Sequence, residues 1–343
     1  MRSQTARSNS PYGRSVGCLA ALWIALSTVT AHAQQSEDPR VWLDRMVQAA
    51  QTLNYDGTFV YQSGGNTESM RIIHRSDANG QRERLLSLSG VAREVLRDNR
   101  RVTCILPDDG SVMVGKTRGV NTGPLFSGVA IPDNYDLRMH GLDRVAGRMA
   151  ERLELAPRDI YRYGYRLWLD RASGLLLRND VVDANQLTRE SVAYTSLSLP
   201  AEIPDSLLEP GISGVGFKRL SWDESDVPPT AAEAAGDWLA QWVPDGFQLH
   251  EHVRQLRTGS DVPVEHMVFS DGLASVSIFI ERLNASSMPL NGPSSVGAIS
   301  AFGRMLGEYQ ITVVGEVPAA TVERVGQGVQ RGSAERAANS DNK

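Results

Sequence analysis

The chain has 343 residues, of which 41% are hydrophobic and 22% charged, and its net charge at neutral pH is −5. That length admits two domains and a sizeable core. The acidic balance argues against a nucleic-acid partner, which favours a basic surface.

Residues 1–33 read as a secretory signal peptide. Arg2, Arg7 and Arg14 form a basic start without an acid, residues 16–29 are apolar, and Ala31-His32-Ala33 is a small-x-small cleavage site ahead of Gln34. The alternative is a membrane anchor, for which this apolar run is short against the roughly 20 residues a span needs. Cleavage after Ala33 removes three arginines and no acid, leaving 32 basic against 40 acidic residues, a net charge of −8. Cys18 leaves with the leader. Cys104 then stands alone in an apolar strand, so no internal disulfide or cysteine-based metal site is available. It reads as a small buried hydrophobe rather than a nucleophile.

Asp38 or Pro39 opens an amphipathic helix in which Trp42 or Leu43, Met46, Val47, Ala50 and Leu53 recur at helical spacing. From Asn54 the apolar pattern changes to period two. Strands are expected at 58–62, 68–75, 82–88, 94–98, 101–106, 111–116, 135–140 and 145–155, separated by short Gly/Asn/Asp turns, with a Gly/Asn/Pro loop at 119–133. In residues 161–170, Tyr161, Tyr163, Tyr165, Leu167 and Leu169 fall on one side, with Arg162, Gly164, Arg166, Trp168 and Asp170 on the other. This predicts one buried and one wet face. Strands at about 175–182 and 187–199 complete a meander. About ten strands in succession predict a large antiparallel sheet that curls into a barrel or half-barrel, with the helix plugging or covering it.

Residues 200–216 are rich in Pro and Gly and read as a linker. Beyond them, residues 217–222 suggest a short strand. A helix starts at Thr230, with Glu233 completing a capping box and Ala231, Ala234, Ala235, Trp238, Leu239 and Trp242 on its apolar face. Strands follow at 247–256, 264–269, 274–283, 297–306 and 309–315, with a loop at 284–295 and a closing helix at 318–329. The expected layout is a half-barrel domain at 34–200, a linker at 201–216, a small α+β domain at 217–331 and a frayed tail at 332–343. The fold class is α+β, mostly β.

Catalytic motifs are missing from the sequence: it holds no G-x-S-x-G, H-E-x-x-H, P-loop or dinucleotide fingerprint in a strand–helix context. His250 and His252 share a strand face and His266 lies on the next strand. They are either a candidate zinc set or polar groups of a half-exposed sheet. His74 and His140 read as locally hydrogen-bonded, and Asp108-Asp109-Gly110 as a turn that lacks the further ligands of a calcium loop. Arg71, Arg75, Arg82, Arg84, Arg93, Arg97, Arg100 and Arg101 fall on successive strands. They make either an anion-recognition face or a solvated face balanced by Glu68, Glu83, Glu94 and Asp98. No cofactor or metal is called for.

Five stretches carry a family likeness: 57–62 (GTFVYQ), 163–180 (YGYRLWLDRASGLLLRND), 242–249 (WVPDGFQL), 269–281 (FSDGLASVSIFIE) and 313–325 (VVGEVPAATVERV). In this order they resemble the MucB/RseB proteins, periplasmic negative regulators of the envelope-stress sigma factor (sigma-E/AlgU type), over nearly all of the mature chain. The resemblance implies an unclosed β-barrel similar to the periplasmic lipoprotein carriers, joined by a flexible linker to a small C-terminal domain. It further implies binding to the periplasmic segment of a membrane-spanning anti-sigma factor (RseA/MucA type), protection of that segment from regulated proteolysis, and release by a lipid of the lipopolysaccharide type. No catalytic residue is expected, and a homo-oligomer is left open. The competing reading is a periplasmic lipid or lipoprotein carrier. On the lipid-sensing reading, Phe59, Tyr61, Met70, Ile72, Tyr161, Tyr163, Tyr165, Leu167 and Leu169 are the pocket candidates. Arg71, Arg75, Arg82, Arg84 and Arg97 are the candidates for anion or partner contact.

Overall fold

The computed structural model describes residues 38–116, 133–222, 238–256, 263–283 and 288–332. The expected signal peptide, the loop around 119–133 and the start of the second helix at Thr230 lie outside these residues.

Helix α1 (Pro39–Thr52) begins where Asp38 accepts a hydrogen bond from the Arg40 N–H at 2.9 Å and Pro39 supplies a preset φ at the first turn. It ends where Leu53 turns extended. Trp42, Leu43, Met46 and Ala49 are its buried stripe. Each of the three large side chains contributes about 1.5–3 kcal/mol by leaving water.

Eleven strands follow: β1 (Tyr55–Ser63), β2 (Asn66–Asp77), β3 (Gly80–Ser87), β4 (Glu94–Asp98), β5 (Arg101–Leu106), β6 (Ser111–Lys116), β7 (Tyr135–Val145), β8 (Arg148–Pro157), β9 (Gly164–Asp170), β10 (Leu176–Val182) and β11 (Thr188–Ser198). Neighbours in sequence pair antiparallel from β1 to β6 and from β7 to β11, and β1 pairs with β11. A twelfth strand, β12 (Lys218–Trp222), joins β6 in parallel. The order is β12-β6-β5-β4-β3-β2-β1-β11-β10-β9-β8-β7, so β12 and β7 are edges and the sheet is not closed. Both the sheet and its single leading helix among the described residues follow the sequence expectation, and the one addition is that the short strand expected at 217–222 joins this sheet as β12.

Helix α1 fills the concave side. Trp42, Leu43 and Met46 pack with the inward residues of β7–β10, including Leu153, Leu155, Tyr165, Leu167, Leu169 and Val181. Ala49 packs with Tyr55, Phe59, Met70, Ile72, Val192 and Tyr194 from β1, β2 and β11.

Two expectations for the large sheet and the segment that leaves it need correction. First, β9 starts at Gly164, not Tyr161, and it has no wet face: Gly164, Trp168 and Asp170 are buried along with the inward side chains, leaving only Arg166 half-exposed. The outer side of β9 is covered because Trp168 packs with Ala150 and Leu177, lies under the Arg178 guanidinium and donates to Asp143 at 2.8 Å. Second, the linker is not free. Ile203 and Leu208 pack on the outward Ile73, and a single 3₁₀ turn, Asp205–Leu207, lies between them. The segment straps the outer face of β2–β4 and carries the chain from mid-sheet β11 to edge strand β12.

The C-terminal part contains β13 (Trp238–Ala240), β14 (Gln248–Leu256), β15 (Pro263–Ser270), β16 (Ser275–Arg282), β17 (Gly292–Val296), β18 (Ile299–Leu306), β19 (Tyr309–Gly315), α2 (Ala319–Gln327) and β20 (Val329–Arg331). Six strands form an antiparallel sheet in the order β14-β15-β16-β19-β18-β17, and β13 pairs with β20. The residues from Trp238 are thus strand, where the sequence predicted the end of a helix. Trp238 is buried and Leu239 exposed, an alternation that suits a strand. The predicted loop at 284–295 likewise yields β17 from Gly292. Helix α2 lays Val322 and Val325 on Ile278, Ile311, Val313 and Phe302. Gly326 permits the approach, since a Cβ there would lie 2.5 Å from the Phe302 ring.

Candidate functional site

The inner wall of the large sheet can be read from its register. On one row Tyr61 faces Val192, Val192 faces Asn179, Asn179 faces Leu167 and Leu167 faces Leu153. The next row runs Ser63, Glu190, Val181, Tyr165, Leu155. Of the nine wall candidates, Phe59, Met70, Ile72, Tyr163, Tyr165, Leu167 and Leu169 are buried in the two inner clusters, and Tyr61 packs partly buried against one of them. Tyr161 does not belong to the wall. It precedes β9, and its ring meets Trp242 edge-on at 4.8 Å while the Arg324 guanidinium lies over it.

Period-two reading did not find Asn179. It is buried within this apolar wall, and its Oδ1 has no hydrogen-bond partner in the protein. The Tyr135 hydroxyl is likewise buried and unpartnered, and burial raises its pKa. Burial also raises Tyr165 and Tyr163, the latter bonded to Ser300.

One end of the wall is capped by the C-terminal part. Ala298, at the β17–β18 turn, is fully buried among Trp42, Tyr163, Tyr165 and their neighbours, and Leu273 from the β15–β16 turn packs on the same cluster. The β17–β18 turn also presses on the β1–β2 turn. A Cβ on Gly64 (φ +57°) would stand 3.1 Å from Val296 Cγ1, and one on Gly297 would collide with Ser63 Oγ. Beside them Glu190 accepts from the Tyr61 hydroxyl at 3.1 Å. Glu316 is exposed, yet partial burial of its carboxyl and the Glu190 carboxylate push it up to about 7.

Arg162 pins this seam. Its side chain is wholly buried, as is its partner Asp271, with Nε donating to Asp271 Oδ2 at 2.6 Å. The other guanidinium nitrogens donate to the Asp159 carboxylate and the Asp245 carbonyl, and the group lies 4.9 Å from the centre of the Phe247 ring. Asp271 also accepts from the N–H groups of Leu273 and Ala274 at 2.9 and 2.8 Å, which shapes the turn that Leu273 carries to the wall. Thr321 Oγ1 donates to the Tyr161 carbonyl at 2.9 Å, and Arg324 bonds the Tyr161 hydroxyl. An arginine in an alternating run reads as wet, so the sequence pattern hides this role.

The arginine candidates divide by face. Arg97 points to the inner side and pairs with Glu83 at 2.8 Å beneath Tyr55 and His74. Burial raises Glu83, against the pull of Arg97. Arg71, Arg75, Arg82 and Arg84 lie on the outer side, and each has a carboxylate. Arg71 grips Asp56 in a bidentate pair at 2.9 and 2.7 Å, and Arg75 and Arg82 share Asp205 at 2.8 and 3.0 Å. Arg84 pairs with the buried Glu94 and donates to the Leu207 carbonyl at 3.2 Å, while Arg75 donates to the Ile203 carbonyl at 3.0 Å. Glu94 in turn accepts from the Gly211 and Ile212 N–H groups at 3.0 and 2.8 Å. These groups fasten the strap.

The histidines act locally. His74 Nδ1 lies 2.8 Å from the Leu53 carbonyl, its ring stacks on Tyr55, and burial lowers it to about 4. His140 pairs with Glu154 at 2.7 Å. His252 pairs with Glu265 at 2.7 Å, and His266 stacks on Phe279. Among the described residues no cluster of three His, Cys, Asp or Glu has metal-binding geometry. Cys104 is half-buried and burial raises its thiol.

Both halves of the chain match family models: the MucB/RseB N-terminal domain over residues 38–212 and the MucB/RseB C-terminal domain over residues 232–330. The chain belongs to the MucB/RseB family. This is a family of regulatory proteins. The sigma factor AlgU regulatory protein MucB of Pseudomonas aeruginosa is 33% identical over 306 residues, covering 87% of this chain and 93% of that one. The sigma-E factor regulatory protein RseB of Escherichia coli (strain K12) is 27% identical over 329 residues, 92% and 99% of the two chains. Among solved structures, MucB in complex with MucA(peri) is 30% identical with a TM-score of 0.66, covering 87% of this chain and 100% of that one. MucB/RseB membership agrees with the five sequence stretches that suggested it. No helix among the described residues is long and apolar enough to cross a membrane.

Proposed function

We propose that this chain is an exported periplasmic regulator. It binds the periplasmic segment of a membrane anti-sigma factor, shields it from regulated proteolysis, and lets go when a lipid of the lipopolysaccharide type occupies its inner wall. The observation that carries the reading is the likeness, across both halves of the chain, to a MucB solved with the periplasmic part of MucA. A curled sheet lined by Phe59, Met70, Ile72, Tyr165, Leu167 and Leu169 supports the lipid arm, because such a wall accepts acyl chains and holds few polar groups. Two ligands that favour different arrangements of one protein antagonise each other by linkage. The leader ending at Ala33 and the acidic mature surface fit an exported protein.

The test is calorimetric titration of the mature chain with the purified periplasmic domain of the anti-sigma factor from the same cell, repeated with lipopolysaccharide. Saturable binding that lipid abolishes, together with slower cleavage of the bound segment, is the expected result. Capture of lipoproteins from a periplasmic extract, with no anti-sigma factor bound, would replace this reading with that of a carrier.

A further inference from the structure

The lipid reading above leaves open how a ligand reaches a wall that is packed at one end, and the contacts at that end supply an answer. We propose that the C-terminal part is a lid on the inner wall of the large sheet. Its β15–β16 and β17–β18 turns occupy the mouth, and an acyl chain enters only when they withdraw. This rests on the lipid-sensing reading and adds the gate to it.

Three features mark the contact as a lid and not a continuation of the core. First, what enters the wall cluster is small: Ala298 and Leu273, both on turns, against the large side chains that line the sheet and α1. A turn that seats one methyl group and one leucine forfeits little apolar contact on leaving, and an acyl chain in its place restores it. Second, the seam is closed by polar devices: the Arg162–Asp271 pair, the Thr321–Tyr161 bond and the stacked Tyr161, Trp242 and Arg324. Such contacts specify one docked geometry and do not merge two cores. Third, polar groups already line the mouth. Glu190, Tyr61 and Ser63 of the sheet lie on two neighbouring rows, and Tyr163 reaches Ser300 of the C-terminal sheet. An opened mouth is therefore wettable, while the wall behind it stays apolar.

The seam also offers a staple. The Cβ that a side chain at Gly64 would carry lies 3.1 Å from Val296 Cγ1. A disulfide sets one Cβ about 3 Å from the partner sulfur, so Gly64→Cys with Val296→Cys brings two thiols together across the seam. The φ of +57° at Gly64 is tolerated by a single non-glycine residue at a modest cost. Cys104→Ser removes the one other thiol of the mature chain.

The experiment measures dansyl-undecanoic acid binding by fluorescence on the full mature chain carrying Gly64→Cys, Val296→Cys and Cys104→Ser. Oxidation is expected to weaken binding at least about tenfold by removing the open state, and dithiothreitol to restore it. Asp271→Asn, which loosens the latch while keeping the turn's acceptor, is expected to shift affinity the other way, by about threefold or more. Equal binding by the oxidised and reduced forms overturns the lid and leaves the lipid reading standing. Failure of the wild-type chain to bind the probe overturns the lipid reading and the lid with it.

Discussion

Arg162→Met tests the seam directly. The arginine and Asp271 are both fully buried, with donor and acceptor 2.6 Å apart. Methionine refills the apolar stem against Phe247, so packing changes little and the cost lies in the carboxylate left behind. Removing one partner of a buried ion pair costs about 3–5 kcal/mol. Asp159, whose side chain is 27% exposed, is hydrated in the variant, which favours the lower end of that range. A loss of about 3 kcal/mol lowers the melting temperature of a chain this size by roughly 4–5 °C, at an unfolding entropy of about 2.1 cal/mol/K per residue. Asp271→Asn added to Arg162→Met withdraws the stranded charge but keeps an acceptor for Leu273 and Ala274. It should return about 1–2 kcal/mol, a coupling that a double-mutant cycle resolves. Urea unfolding followed by tryptophan fluorescence and far-ultraviolet circular dichroism provides the four free energies. A cost below about 1 kcal/mol for Arg162→Met, or strict additivity in the cycle, would refute the assignment of Arg162 as the buried pin.

Three further outcomes are expected. Glu94→Ala frees the backbone of Gly211 and Ile212 and unpairs Arg84, so brief thermolysin treatment, which cuts before Leu, Ile and Val, should cut within 203–216 well before the rest of the chain; unchanged cleavage would mean the strap is held without the Glu94 contacts. Because His74 is held near 4 in the native state against 6.5 when unfolded, the unfolded chain binds the extra proton between those values. Stability should therefore fall as pH drops from 6.5 through 4, by at most about 3 kcal/mol at 1.36 kcal/mol per pH unit, and His74→Phe should flatten that part of the profile. Leu167→Ala, at a wholly buried wall position, should cost about 3–5 kcal/mol unless a fatty-acid chain fills the space, so added lipid should recover more stability in the variant than in wild type, as read by melting temperature.

Strand placement was legible wherever one face is buried and the turns carry Gly, Asn or Asp: β4, β5 and β6 fall on the expected residues and α1 opens at the expected cap. The pattern misled where burial comes from far along the chain. Arg162 and Trp168 alternate as wet residues do. Arg162 is buried by Asp245, Phe247 and Asp271, more than eighty positions away, and Trp168 by Arg178 from the adjacent β10 and Asp143 from β7, two strands away. The strap shows the same limit. Its prolines and glycines describe a chain without regular structure, which is correct, but not its fixation, which depends on Glu94 and on arginines of β2 and β3. The apolar spacing of Ala231, Ala234, Ala235, Trp238, Leu239 and Trp242 predicts a helix through Trp238, yet the partner of the residues from Trp238 in a two-stranded ladder is β20, at the far end of the C-terminal part. Family likeness, by contrast, rests on whole stretches: 163–180 holds wall and turn, while 242–249 and 269–281 carry Asp245 and Asp271 of the seam.

The arginines of the large sheet bear on what kind of ligand the protein can select. Arg71, Arg75, Arg82, Arg84, Arg93 and Arg97 each stand within ion-pair distance of Asp56, Asp77, Asp205, Glu94, Glu68 or Glu83. A pair of opposite charges projects little field beyond its own dimensions, so these residues add no basic region to a chain of net charge −5. An anion arriving at Arg75 or Arg82 would displace Asp205 instead of meeting a free cation, exchanging one carboxylate-type contact for another with small gain. Discrimination by charge is therefore weak on the outer face, and the same residues do more by holding the strap that carries the chain across to β12. The inner wall is different. Its apolar residues fall in two clusters, it carries the buried Asn179 whose Oδ1 has no partner in the protein, and Ala298 and Leu273 close one end of it. Selectivity for an amphiphile is better placed there, where a mismatched polar group meets desolvation and an acyl chain does not.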